Sequence, residues 1–205
     1  MLNRANLAIA KFTNKIPEFQ SLPTAGVLVS PKHTVATDGH RIVSVAMTEA
    51  KAEQFPNFEG FTATKEFEPF ILKRDDALAV CAAIPKGGEV KLWPVRHAGV
   101  NESNTSELAT NDLQTKHLFK TEHIAGNFPK YQAVIPEKDR ADFTTEVNAK
   151  LLFELLKAVV EANPGMPFVE IRFYKSASAE EAKAIRLDAE TEDKQEWIAA
   201  LMPLR

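Results

Sequence analysis

A chain of 205 residues, 44% hydrophobic and 26% charged, has the composition of a soluble globular protein with one large or two small domains. Its net charge of −3 excludes a protein that coats nucleic acid with its whole surface, although a local basic face remains open to it. The single Cys81 excludes an internal disulfide and a cysteine metal cluster, and fits a reducing, cytosolic compartment. No apolar run approaches the ~20 residues that span a bilayer. Met1–Phe12 carries Arg4 and Lys11 inside its apolar pattern, so it does not read as a signal peptide.

The chain reads as a helix followed by strands, three times over. Leu2, Ala5, Ile9 and Phe12 recur at helical spacing, and Pro17 ends that helix. Val27–Val29 and Thr34–Met47 follow as strands, the second bent near Asp38-Gly39; no leading strand precedes this first helix. The second unit opens with a strand over Phe67–Leu72 and a helix over Asp75–Ile84, with Leu78, Cys81 and Ala82 on one face; Pro85 and Gly87-Gly88 stop it. Val90–Val95 reads as a strand, residues 98–112 as a polar loop or irregular hairpin, and Leu118–Ile124 as a further strand.

In the third unit Phe143–Val147 predicts a strand, and Asn148 caps a helix with the stripe Leu152, Leu155, Leu156 and Val159. Asn163-Pro164-Gly165 closes that helix. Val169, Ile171 and Phe173, then Ile185, Leu187 and Ala189, then Ile198, Ala200 and Met202 each alternate with other residues at the period of a half-buried strand. The fold class is α+β, with strand–helix–strands repeats at ~65-residue spacing and helices on one face of antiparallel sheets.

Three segments carry most of the functional signal: Val35-Ala36-Thr37-Asp38-Gly39-His40-Arg41-Ile42, Phe128-Pro129-Lys130-Tyr131-Gln132-Ala133-Val134-Ile135-Pro136 and Leu201-Met202-Pro203-Leu204-Arg205. Alone, Asp38-Gly39 is a tight-turn dipeptide. Together and in this order they resemble the bacterial DNA sliding clamp, the beta subunit of DNA polymerase III, in a shortened form. Residues 1–136 look like the middle clamp domain, with two units, and 137–205 like the last half of the final one. Ile42 stands where that family usually has Leu, Leu204 where Met is common, and Gln132-Ala133 where a basic residue is frequent.

The resemblance implies a pocket for short peptides of replication and repair proteins. One wall is the bend at Thr37, Asp38, Gly39 and His40. Arg41 offers a planar donor fork to a carboxylate or carbonyl. Ile42, Val134, Ala200, Met202 and Leu204 give apolar area, and Pro129, Pro203 and Arg205 complete the rim. The bland alternative makes Ile42, Val134 and Met202 core residues, and Arg41 and Arg205 solvated charges.

A clamp meets double-stranded DNA through basic side chains without reading its sequence. Arg4, Lys11 and Lys15, at spacings of seven and four, give the best stripe; Lys73, Arg74 and Lys86 attend the second helix. Lys150 and Lys157 lie on the third, where Glu154 and Glu161 make an ordinary salt-bridged face. On this reading the partners are duplex DNA, a DNA polymerase or repair proteins held by short peptide motifs, and a clamp loader that spends the ATP. Three units per chain would close a ring of about twelve such units as a homotetramer.

No cofactor, metal or membrane is implied, and the protein is expected to be cytoplasmic, of bacterial, plasmid or phage origin. Asp38 and His40 could share a strand face for acid–base work. No Ser or Cys nucleophile motif, metal-ligand spacing or Walker loop accompanies them, so the chain does not read as an enzyme. The rival reading is a non-ring interaction module, or decoy, that binds clamp-binding peptides.

Overall fold

The structure is a computed structural model that describes residues 1–19, 21–48, 55, 59–85, 97–102, 106–111, 115–136, 141, 144–165, 167–174, 185–190 and 194–202. It divides into two compact units, Met1–Ile135 and Pro136–Arg205. The expected strand at Val90–Val95 lies outside the described residues.

Unit 1 contains one pattern twice. The first copy is strand β1 (Leu2–Asn3), helix α1 (Arg4–Ala8) and strands β2 (Gly26–Val29), β3 (His33–Thr37) and β4 (Ile42–Ala46). The second copy is β5 (Phe70–Lys73), α2 (Arg74–Ala83), β6 (His97–Glu102), β7 (Ser106–Asn111) and β8 (Lys116–Lys120). They form two antiparallel sheets, ordered β4-β3-β2-β5 and β1-β6-β7-β8. The leading strand of each copy therefore sits in the sheet of the other. β5 pairs with β2, Gly26 opposite Lys73 and Val29 opposite Phe70, and β1 pairs with β6, Leu2 opposite Ala98.

Gly26 is required by that exchange. A Cβ there would lie 2.6 Å from both the Leu72 carbonyl oxygen and Ile71 Cγ2. Leu2, Leu7, Val27, Val29, Leu72, Val80, Val100 and Leu108 draw both copies into one core cluster.

The first unit does have a leading strand, contrary to expectation, and Leu2 belongs to it rather than to the helix. The two-residue strand ends where Asn3 caps α1. Asn3 Oδ1 accepts the Asn6 N–H at 3.1 Å, and Asn6 Oδ1 accepts the Asn3 N–H at 3.1 Å. Asn6 is fully buried and its amide donates to Thr34 Oγ1 at 3.2 Å and to the Val45 and Ala46 carbonyls. After Ala8 the helix tightens into a 3₁₀ turn over Ile9–Phe12. Where a polar loop or irregular hairpin is expected over 98–112, the described residues pair as antiparallel strands, β6 and β7 running from Ala98 opposite Thr110 to Glu102 opposite Ser106. The strand expected over Leu118–Ile124 sits earlier, at Lys116–Lys120, and His123 joins Leu72 through an isolated bridge outside it.

Unit 2 contains the pattern once. Helix α3 (Ala149–Ala162) is followed by β9 (Glu170–Arg172), β10 (Ile185–Glu190) and β11 (Glu196–Leu201), in the sheet order β11-β10-β9. Asn148 caps α3, its Oδ1 accepting the Lys150 and Leu151 N–H groups at 3.0 and 3.3 Å. Leu152, Leu155 and Leu156 pack on Ile185, Leu187 and Leu201.

Several expectations fail here. Residues 144–147 form no strand, although Phe143–Val147 predicts one; Phe143 itself is outside the described residues. The strand expected over Phe168–Tyr174 shrinks to Glu170–Arg172. Ile171 and Phe173 are exposed, Phe173 by 53%, while only Val169 of that alternating set packs on the core. Among the described residues of unit 2, one helix lies over three strands and nothing covers the β9 margin. Ile198, Ala200 and Met202 do share a face, but it is the solvent face: Trp197, Ala199 and Leu201 occupy the inner one.

Candidate peptide pocket and DNA-facing surface

Unit 1 presents the first segment as a rigid turn between β3 and β4. Thr37 Oγ1 accepts the Gly39 N–H at 3.1 Å and donates to the Arg41 carbonyl at 2.8 Å. Asp38 Oδ1 accepts the N–H groups of His40 and Arg41, each at 3.1 Å, and Asp38 Oδ2 accepts Arg41 Nε at 2.9 Å. Gly39 has φ of +93° with no atom near its absent Cβ, so backbone conformation alone selects glycine. Burial acts to raise the Asp38 carboxyl, but the two backbone donors and the Arg41 guanidinium outweigh it, and its pKa is lowered.

The same pair fixes Arg41, whose guanidinium also lies over the Phe12 ring at 5.0 Å. Beside it opens a cavity of about 400 Å³ lined by Lys15, Ile16, Phe19, Asp38, His40 and Arg41 among others. Ile42, the first residue of β4, is half-buried.

The second segment docks at the other end of β3. Tyr131 is buried, its hydroxyl hydrogen-bonded to His33 Nε2, with the two rings in edge contact at 5.5 Å between centroids. Burial pushes the Tyr131 phenol up. His33 and Thr37 are four residues apart, about 13 Å at ~3.3 Å per residue. The bend and the Tyr131 contact thus mark opposite ends of one strand. A cavity of about 450 Å³ at the His33 end is lined by Leu28, Pro31, Phe67, Pro69 and Tyr131 among others. Pro129 is exposed and Val134 is 69% exposed, so Val134 is no core residue.

In unit 2, Met202 is 60% exposed and Ala200 is exposed beside Ile198 on the outer face of β11. Ala200 lies opposite Arg186, and Ile198 opposite Asp188. Next to this apolar row runs a ladder of charges. Asp188 accepts from Arg172 and, at 2.7 Å, from Arg186, while Arg172 also meets Glu170 at 2.6 Å. The Arg186 hydrogen bond, opposed by burial and helped by the Arg172 and Arg186 charges, lowers the Asp188 carboxyl. Pro203, Leu204 and Arg205 lie outside the described residues.

The proposed DNA-facing cations fare unequally. Arg4 is withdrawn from the stripe: its Nη1 donates to the Cys81 and Ile84 carbonyls at 2.6 Å each, capping the end of α2. Lys15 is not in phase with it either, because the helix ends before Lys15 and the 3₁₀ turn changes the repeat. Lys11 and Lys15 are exposed, as is Lys150. Lys73 is bound to Glu122 at 2.6 Å, a contact that raises its pKa, and Arg74 to Asp75 at 3.1 Å. Lys15, Lys73 and Arg74 nevertheless share a cleft of about 370 Å³ with Asp75 and Asp76. Lys157 pairs with Glu161 at 3.5 Å, as the salt-bridged reading of α3 expects. Lys86 lies outside the described residues.

Sequence reasoning missed the Arg4 cap, the buried Asn6 and the Tyr131–His33 contact. Only Asn3-x-x-Asn6 left a trace, as a capping pattern. Among the described residues no group of His, Cys, Asp and Glu is placed to hold a metal, and no helix is long and apolar enough to cross a membrane.

No protein-family model matches the chain, and no curated protein matches it by sequence. Its fold, however, is that of bacterial DNA polymerase sliding clamps. The clamp of Pseudomonas aeruginosa aligns over 98% of this chain and 50% of its own, with a TM-score of 0.65 and 14% identity. The C. crescentus beta sliding clamp aligns over 98% and 50%, with a TM-score of 0.61 and 16% identity. The beta subunit of DNA polymerase III from Thermotoga maritima aligns over 98% and 49%, with a TM-score of 0.58 and 20% identity. The chain thus spans about half the length of the clamps it resembles.

Proposed function

We propose that the protein is a small sliding-clamp-like processivity factor. It encircles duplex DNA as a homo-oligomeric ring, a tetramer by unit count, and performs no chemistry itself. The observation that carries the reading is the sliding-clamp fold along 98% of the chain. Exposed Val134 and Met202, in segments that resemble the clamp family's peptide pocket, add apolar area for a polymerase or repair peptide. Tethering by such a peptide raises processivity through effective concentration. Lys11, Lys15 and the Lys15–Lys73–Arg74 cleft are the cations offered to phosphates; Arg4 is not among them.

A second reading, a non-ring module that captures clamp-binding peptides, draws on two observations. The chain spans half a clamp, and Lys73, Arg74 and Lys157 already have acidic partners. Retention on circular DNA separates the two. Subunits assembled in the presence of a closed plasmid should stay bound through a high-salt wash and leave when one cut linearises it. Equal retention before and after cutting, or none at all, defeats the ring.

A further inference from the structure

We propose that unit 2 is completed by unit 2 of a second copy of this chain, through a two-fold pairing of α3 with α3 and reciprocal exchange of the segment before each helix. The proposal starts from unit 1, where a strand–helix–strands pattern is seen with its complement in place. There the strand before each helix adds to the other copy's sheet, β5 on β2 and β1 on β6. The helices also meet, with the Cys81 thiol facing the Arg4 carbonyl at 3.7 Å and Arg4 gripping the end of α2.

Among its described residues, unit 2 lacks both complements. β9, the strand after α3, bonds β10 on one edge and, among the described residues, has no strand on the other, the edge where β2 receives β5. Thr144–Val147, which precede α3 as β5 precedes α2, are in no strand. Strand edge and strand are missing from each other, so one unit offers what an identical unit needs.

The helix flank tells the same story. Leu78 and Cys81 are the fifth and eighth residues of α2, and both pack in the unit 1 core, Cys81 on the side of α1. Phe153 and Leu156 hold those places in α3, yet Phe153 is 65% exposed, and Val160 beside it on the wheel is also exposed. Ile171 and Phe173 extend this apolar margin at β9.

Charge favours a second copy over an unrelated partner. Laid antiparallel on itself with the two-fold axis between Leu155 and Leu156, α3 sets Lys150 level with Glu161 and Glu154 level with Lys157, and brings Phe153 within about 3 Å, measured along the helix, of Val160. Both ion-pair sets are complementary, as an isologous contact requires. The pairing needs no DNA and stands or falls apart from the clamp reading.

The test uses the full chain at micromolar concentration. Native mass measurement should find even-numbered assemblies, and Phe153→Glu should weaken them at least tenfold with an unchanged circular dichroism spectrum. In a Cys81→Ser background, oxidised Phe153→Cys/Val160→Cys protein should run as a covalent dimer, while neither single variant does. The cross-link decides the matter if Phe153→Glu misfolds. A monomeric wild type overturns the proposal, whether another protein or a further segment of a longer chain covers the flank. So does an assembly untouched by Phe153→Glu, or a double-cysteine protein that stays uncross-linked. A cross-linked dimer that circular DNA does not retain would leave the pairing standing and defeat only the ring.

Discussion

In unit 1 the residues before each helix are bonded into a sheet, β5 to β2 and β1 to β6; in unit 2 the same stretch before α3, Thr144–Val147, belongs to no strand. Leu78 of α2 packs against the core, whereas its counterpart Phe153 in α3 faces solvent. The contrast teaches that the pattern does not bury its own margins. It needs a second copy to cover one helix flank and one strand edge, and unit 1 supplies that copy within the chain.

The comparison breaks most sharply at Gly26. Gly26→Val places side-chain carbon against the Leu72 carbonyl and Ile71, and should cost about 3 kcal/mol or more by overpacking and loss of β2–β5 pairing. Chemical denaturation should show unit 1 failing while unit 2 retains its transition. Leu187→Ala makes the reciprocal damage in unit 2, about 2–5 kcal/mol for a fully buried leucine.

Arg4→Ala is expected to cost about 1.5–3 kcal/mol, because two carbonyls at the end of α2 lose a charged donor. A thermal melt reads this directly. If Arg4 were instead a free phosphate ligand, stability would not move and DNA affinity would fall.

Acid should act more gently and on both units. The folded Asp38 and Asp188 carboxyls have lowered pKa values, so each contributes stability that is present above the unfolded value of about 3.9. That contribution is lost as pH falls through the lower folded values. Asp188→Asn should flatten the acid limb of a pH–stability curve, and an unchanged limb would deny the charge ladder a role. Smallest in stability is Met202→Ala, within about 0.5 kcal/mol for an exposed side chain. Its measurable effect should be weaker capture of apolar peptide tails, with the oligomer intact; equal capture would count against the pocket.

What the sequence made legible was local. Asn148 announces the start of α3, the Leu152–Val159 stripe its buried face, and Ile185 and Leu187 the inner row of β10, because caps and periodicity act over a few residues. Thr37-Asp38-Gly39 likewise encodes its own turn. The two-residue β1 was illegible, since its partner strand lies almost a hundred residues away. Ile171 and Phe173 alternate like buried residues, yet burial depends on a cover that periodicity does not mention. Arg4 read as a surface cation because nothing in a helical wheel shows that the open end of α2 lies within reach. For the candidate site, turn chemistry located Arg41 but not its capture by Asp38 and Phe12. A pocket shared by the three segments rests on the family resemblance, since spacing joins none of them.

The most direct test of the contrast between the units is amide exchange on the full chain, at micromolar concentration and after hundredfold dilution. The account predicts that Thr144–Val147 and Glu170–Arg172 are protected when concentrated and exchange freely when dilute, while Gly26–Val29 and Phe70–Lys73 stay protected throughout. Fast exchange of Thr144–Val147 and Glu170–Arg172 at both concentrations would contradict it.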